Sequence, residues 1–137
     1  MSYTRLVGKN KVRRYSNEEY WAKPVTGFGD TDANLLIIGL APGAHGANRT
    51  GRLFTGDHSG QWLMKALYEI GFSNIPSSIS AKDGLILKNV FITSCLRCAP
   101  PSNKPLNSEL ENCSSYLVKE LEILKKVKVV ITLGHIA

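Results

Sequence analysis

The residues of this chain that could do chemistry concentrate in one stretch. Residues 39–60 read Gly-Leu-Ala-Pro-Gly-Ala-His-Gly-Ala-Asn-Arg-Thr-Gly-Arg-Leu-Phe-Thr-Gly-Asp-His-Ser-Gly. Closely spaced glycines let backbone N–H groups approach a ligand, because no Cβ stands in the way. Arg49, Arg52 and His45 add charge and hydrogen-bond donors. Asp57 offers a carboxylate, and Phe54 offers a ring face on which a planar group can stack. Few loops of this length carry such residues without a ligand to bind.

The flanking segments are those that would hold such a loop still. Leu35-Leu36-Ile37-Ile38 is an apolar run of the length and composition of a buried strand, which we place at about Asn34 to Gly39. After the loop, Gln61 to Ile70 has helical periodicity, with Leu63, Ala66, Leu67 and Ile70 on one apolar face. Ser59 is suited to cap this helix at its start and Gly71 to end it. A long glycine loop between a strand and its helix sits where open α/β sheets bind ligands.

Further along, residues 73–84 read as loop, with little order expected around Ser77-Ser78-Ile79-Ser80. A second strand is expected over about Leu87 to Leu96, and Pro100, Pro101 and Pro105 forbid regular structure just after it. The next helix starts near Asn107 or Ser108, where Ser108-Glu109-Leu110-Glu111 has capping-box spacing. Leu110, Cys113, Leu117, Leu121 and Leu124 share its apolar face, and residues 127–133 form a third strand. Residues 1–19 are basic and without period, and are expected to be an irregular arm before a domain over 20–137. The alternation implies an α/β fold, a three-layer αβα arrangement around a central parallel sheet.

Composition narrows the class. The 137 residues suit one domain with a real core, and 43% hydrophobic with 20% charged residues are globular proportions. No apolar run approaches the roughly 20 residues that span a bilayer, so no membrane role is expected. Three cysteines with no apolar leader behind the basic N-terminus point to a reducing, cytoplasmic setting. The net charge of +6, with Lys9, Lys11, Arg13 and Arg14 near the start and Lys125, Lys126 and Lys128 near the end, suits a polyanion. Solvated surface is the competing reading of each cluster. A P-loop nucleotide-binding module is disfavoured, because no Gly-x4-Gly-Lys-Ser/Thr occurs.

The glycine loop resembles the first motif of the uracil-DNA glycosylase superfamily, specifically family 5, the type B enzymes with an iron–sulfur cluster. It departs chiefly at Gly43, where the family usually has alanine. Tyr20-Trp21-Ala22-Lys23-Pro24-Val25 and Gly27-Phe28-Gly29-Asp30 resemble the lead-in. Arg97-Cys98-Ala99-Pro100-Pro101-x-Asn103-Lys104-Pro105 and Leu133-Gly134-x-Ile136-Ala137 match downstream. The resemblance thus runs from about Tyr20 to the last residue. The family's N-terminal cysteine pair has no counterpart here, nor has its His-Pro-Ser motif, which supplies a histidine at the base carbonyl and a wedge. The chain therefore looks like the middle of such an enzyme, cut at both ends.

The resemblance implies roles. Phe54 would stack under an extruded base, backbone from Ala41 through Pro42 and Gly43 to Ala44 would face it, and His45 would line its pocket. Asp57 would stabilise the sugar cation or orient water, and Asn48, Arg49, Arg52 and Lys104 would meet DNA phosphates. Each has an ordinary alternative. Phe54 could be a core aromatic, Asp57 a turn or helix cap, His45 a solvated histidine, and the arginines surface charges. Asn48 could simply brace the loop. Ser94 stands where the related family 4 enzymes have an asparagine that reads uracil. It would contact substrate with one hydroxyl, consistent with a broader deaminated-base range, or be satisfied by its own strand.

By the same resemblance, Cys98 and Cys113 match the second pair of ligands of a [4Fe–4S] cluster held by four thiolates. Alternatively Cys113 is a small buried hydrophobe. Cys95 with Cys98 makes a Cys-x-x-Cys, but strand alternation would point the two to opposite faces. A stable cluster would need ligands from elsewhere, such as a second polypeptide completing the fold. Two classes follow: a DNA glycosylase of base-excision repair acting on uracil-containing DNA, or a truncated, inactive remnant or subunit with residual DNA binding.

Overall fold

The computed structural model describes residues 2–137. Among them, helices and strands follow in the order α1 (Tyr3–Lys9), β1 (Phe28–Gly29), β2 (Leu35–Gly39), α2 (Ala47–Thr50), α3 (His58–Glu69), β3 (Val90–Ser94), α4 (Asn107–Ile123) and β4 (Val129–Thr132). The four strands form one sheet in the order β1-β3-β2-β4. β2 pairs in parallel with β3 (Ile37 opposite Ile92) and with β4 (Leu36 opposite Val130). The sheet is not wholly parallel: β1 adds an antiparallel edge, with Phe28 opposite Ile92.

Strand alternation sorts the core into two faces. Ile37, Val90 and Ile92 pack with Met64 and Leu67 of α3 and with Val25, Ala47 and Leu53. Leu36 and Ile38 face the other way, onto Leu124 and the half-buried Leu117 of α4. This is the expected three-layer αβα fold. Each fully buried large apolar side chain contributes about 1.5–3 kcal/mol, so residues such as Leu36, Met64 and Ile92 carry much of the stability. On the α4 face, buried Arg97 joins sheet to helix, with Nη2 2.8 Å from Glu120 Oε2 and Nη1 donating to Thr93 Oγ1 at 3.1 Å.

Several local expectations are corrected. The supposed irregular arm contains α1 and a 3₁₀ turn at Arg13–Tyr15, and Thr4 and Val7 of α1 are buried. Seven residues, about two turns, are too few to read as a period. The cap of α3 is Asp57 rather than Ser59: its Oδ1 accepts from the Gly60 N–H at 2.8 Å. The helix closes at Glu69 with Gly71 left-handed at φ +78°, as a C-terminal glycine should be. Its buried face runs through Gly60, Met64 and Leu67, while Ala66 and Ile70 are exposed. In α4 the cap is Leu106 rather than Ser108, and Glu109 reaches back to accept from the Leu106 N–H at 2.8 Å. Leu121 lies exposed, and β4 is exposed along its whole length.

Residues 73–84 are also better tethered than expected. Asp83 accepts from Arg52 Nη2 at 3.0 and 2.9 Å and from the N–H groups of Ile79 and Leu85. Ser78 is buried and bonds Thr55. The guanidinium and backbone donors outweigh the opposing effect of burial, and bring the Asp83 carboxyl from 3.8 down to about 2. A carboxylate whose folded pKa is depressed stabilises the fold above its unfolded pKa and loses that stabilisation as pH falls through the folded one. From this shift the contribution is about 2 kcal/mol at neutral pH. Asp83→Asn should therefore destabilise the protein near pH 7, by urea unfolding. The gap to wild type should narrow between about pH 4 and pH 2, and a pH-independent gap would refute the assignment.

Candidate active site

The loop that follows β2 wraps the C-terminal end of the strand and closes a cavity of about 710 Å³. Ala41, Pro42, Gly43, Ala44, Phe54 and Asp57 line it, so six of the expected residues are brought together. That size suits a small planar ligand. Among the described residues, the N–H groups of Ala41, Gly43 and Ala44 donate to no backbone carbonyl or side chain of the protein. These donors are therefore open to a ligand in the cavity.

Phe54 makes the apolar wall, and its placement is demanding. Its backbone is left-handed at φ +49°, which a non-glycine residue adopts at a cost of about 1–3 kcal/mol. Its ring lies over the end of β2, where a Cβ on Gly39 would come within 2.8 Å of Cζ. Only glycine at this strand end lets the ring sit flat across it. Phe54 is half-buried, so one face of the ring remains in the cavity.

Asp57 combines the two roles that the sequence left open. Oδ1 caps α3, and Oδ2 points back toward the turn at Gly43–Gly46, with no hydrogen-bond donor on it among the described residues. A Cβ on Gly46 would collide with that carboxylate, and one on Gly43 would lie 3.3 Å from Oδ2. The cap thus fixes the direction of the free oxygen. One carboxylate oxygen holds the helix start and the other stays free beside the turn.

The expected phosphate contacts fare differently. Arg49 is 9% exposed, and Nε donates to the His45 carbonyl at 2.7 Å while Nη2 donates to the Gly56 carbonyl at 2.8 Å. Nη1 pairs with Glu18 at 2.5 Å, and the guanidinium stacks 3.8 Å from the Tyr15 ring centroid. Arg52 is spent on Thr55, Ser78 and Asp83. Neither guanidinium is presented to a polyanion; both brace the loop from within. Asn48 is buried and donates to the carbonyls of Thr4 and Ala44, which is the bracing alternative. Lys104 is exposed but lies outside the cavity lining.

Ser94 is also placed away from a ligand. It is 1% exposed, lines no part of the cavity, and donates to the Leu96 carbonyl at 2.5 Å. A short hydroxyl at a strand end bonds the backbone two residues on more readily than it reaches outward. His45 is half-buried, beside the main cavity rather than in its lining, and bonds the Tyr20 hydroxyl through Nδ1 at 2.8 Å. Burial raises the pKa of that hydroxyl, so Tyr20 keeps its proton. Tyr3, His58, Trp62, Ser102 and Asn103 join the lining without having been singled out as site residues. Asn103 lies in the Pro-Pro-x-Asn segment of the resemblance, a signal present in the sequence. Nothing in the pattern around Tyr3 marked it.

Cys98 and Cys113 lie near one another, and both are half-buried. Burial pushes the Cys98 thiol up, away from the thiolate that a metal requires. Among the described residues no group of three or more His, Cys, Asp or Glu side chains is placed to hold a metal ion. Two cysteines do not by themselves make up a four-thiolate cluster. Cys95 packs elsewhere, beside Leu36, Ile38 and Leu124.

Comparison with known proteins agrees with this geometry. A sequence profile of the uracil DNA glycosylase superfamily matches residues 26–137. A type-5 uracil-DNA glycosylase of Thermus thermophilus is 51% identical over 132 residues, covering 96% of this chain and 59% of the relative. One from Pyrobaculum aerophilum is 50% identical over 126 residues, 92% of this chain and 55% of the relative. A type-4 uracil-DNA glycosylase from the same archaeon is 34% identical over 120 residues, 87% of this chain and 53% of the relative. The chain spans somewhat over half the length of these relatives. The family profile covers most of the chain and relatives match it at about half identity, so the chain belongs to the uracil DNA glycosylase superfamily, with type-5 enzymes among its relatives.

Proposed function

We propose that this chain hydrolyses the N-glycosidic bond of uracil, and of other deaminated bases, in DNA, as a step of base-excision repair. The observation that carries the reading is the Phe54 ring laid over Gly39, opposite open backbone donors and beside the aimed Asp57 carboxylate. A base inside a duplex is out of reach, so it must be extruded into the cavity. There it stacks on Phe54, and the N–H groups of Ala41, Gly43 and Ala44 meet its carbonyl edge. As the glycosidic bond breaks, negative charge gathers on the base, where those fixed donors stabilise it, and positive charge gathers on the sugar. Asp57 Oδ2 faces the sugar and directs water to the cation.

The activity as a whole includes partners beyond these residues. Val129, Val130 and Ile131 on β4 and Trp62 on α3 are large apolar side chains left uncovered, which supports packing of a further polypeptide segment against that edge. Such a segment would complete the fold. Cys98 and Cys113 would contribute to an iron–sulfur cluster only with thiolates from outside this chain, and no catalytic step needs it.

Two tests follow. A labelled duplex with one uracil should yield an alkali-labile abasic site with wild type, while Asp57→Asn should be slower by about 10²–10⁴-fold, the usual weight of such a group. Phe54→Ala should likewise lose most activity. A folded, soluble wild-type chain that leaves uracil in place would overturn the proposal, in favour of an inactive subunit. Second, Gly39→Ala should push the Phe54 ring off the strand end. It should reduce excision far more than it lowers the thermal midpoint, and equal activity would show that the ring is not the base platform.

A further inference from the structure

A second cavity, of about 540 Å³, lies behind the first and shares Gly43, Asp57 and His58 with it. Its other side chains differ in kind: Arg14, Tyr15, His45 and Gln61 replace the apolar wall. The first cavity suits a base. The second is lined by donors.

Its hydrogen-bond accounting leaves those donors open. Trp62 Nε1 can only donate, and it does so to His58 Nε2 at 3.1 Å. The proton of neutral His58 is therefore on Nδ1 and available. His45 Nδ1 is occupied by the Tyr20 hydroxyl, whose own proton needs an acceptor. With Tyr20 donating, His45 carries its proton on Nε2, again free to donate. Arg14 stacks on the Tyr15 ring at 5.4 Å and has no carboxylate within ion-pair distance among the described residues. Arg49, Arg52 and Arg97 are each committed to an acid, so Arg14 is the arginine at this site with its fork unused.

The opposing charge is Asp57, whose Oδ1 is occupied by the Gly60 N–H and whose Oδ2 points toward the shared turn at Gly43–Gly46. Glu18, the other nearby carboxylate, is neutralised by Arg49. Beside that carboxylate the cavity presents one guanidinium and two imidazole N–H groups, a set suited to a tetrahedral oxyanion. Base and phosphate of one nucleotide are joined through a single sugar. Two cavities with a common wall suit those two ends.

We propose that the second cavity is a phosphate subsite, in which Arg14, His45 and His58 hold a DNA backbone phosphate flanking the nucleotide whose base enters the first cavity. This rests on reading the first cavity as a base pocket, and it moves the phosphate contact from Arg49 and Arg52 to residues with donors to spare. The ligand's position is set by the shared wall, so the phosphate contact also fixes the sugar against Asp57.

The test is a binding cycle that needs no catalysis. The full chain is titrated with a fluorescent duplex carrying a tetrahydrofuran abasic analogue, with either flanking phosphate replaced in turn by an uncharged methylphosphonate. One replacement should weaken wild-type binding by about tenfold, the scale of a lost charge-assisted hydrogen bond. Arg14→Ala should weaken binding similarly, and its residual binding should ignore that same replacement. Arg14→Lys should restore part of the loss. Arg14 is exposed, so its variants should keep the wild-type melting temperature. Independent, multiplicative losses would overturn the subsite, as would wild-type binding indifferent to both replacements or no binding at all. Uracil excision is scored separately. A coupled cycle without excision sustains the subsite and sinks the glycosylase, and excision with uncoupled losses does the reverse.

Discussion

The site depends on one buried guanidinium. Arg49 donates to carbonyls at both ends of the cavity loop, those of His45 and Gly56, and so holds the two strands of that loop together from inside. Gly56 precedes Asp57 directly, so the same contact sets the carboxylate's position. Arg49 is buried, so its removal would leave those two carbonyls without their donor. Glu18 and the Tyr15 ring complete the shell, which ties the N-terminal residues to the loop. A glycine-rich loop has every reason to be mobile. This one is braced by its own arginines.

That constraint explains where the sequence was readable and where it was not. The strands β2 and β3, the helices α3 and α4 and the ligand-facing loop were legible because each rests on a local signal, an apolar run, a period or a glycine cluster. The pocket roles of Phe54, Asp57 and Ala41 to Ala44 came through the resemblance, and the fold brings these residues to one cavity. Arg49 and Arg52 were misread because residue type does not say whether a charge is already paired. Their partners, Glu18 and Asp83, are each 31 positions away along the chain. Ser94 failed for a related reason: whether a hydroxyl turns outward or back onto its backbone depends on the local bend after β3, not on composition. Helix α1 was missed because one buried flank, Thr4 and Val7, is too little pattern to register as periodicity.

Division of labour among the basic residues follows from the same accounting. A guanidinium that has two carbonyls and a carboxylate is a structural element, however exposed its sequence context looks. One with only a ring beneath it, as Arg14 has, keeps its hydrogen-bonding capacity for something else. The net charge of +6 therefore overstates what the site offers to a polyanion, since several cations are internally consumed.

The cost of this rigidity is visible at Phe54. Its left-handed backbone is unfavourable by about 1–3 kcal/mol and persists only because the surroundings leave no alternative. A Cβ on Gly60 would run into the Phe54 carbonyl, so the start of α3 presses against the strained peptide. Thr55, fully buried, is locked by Ser78 and the Leu53 carbonyl. Relaxing Phe54 would therefore disturb the first turn of α3 and with it the Asp57 cap. The strain is balanced by contacts that also aim the carboxylate, so ring and carboxylate cannot move independently. Donors and charges fixed before the ligand arrives need no reorganisation as charge develops, which is the condition under which fixed dipoles stabilise a transition state most.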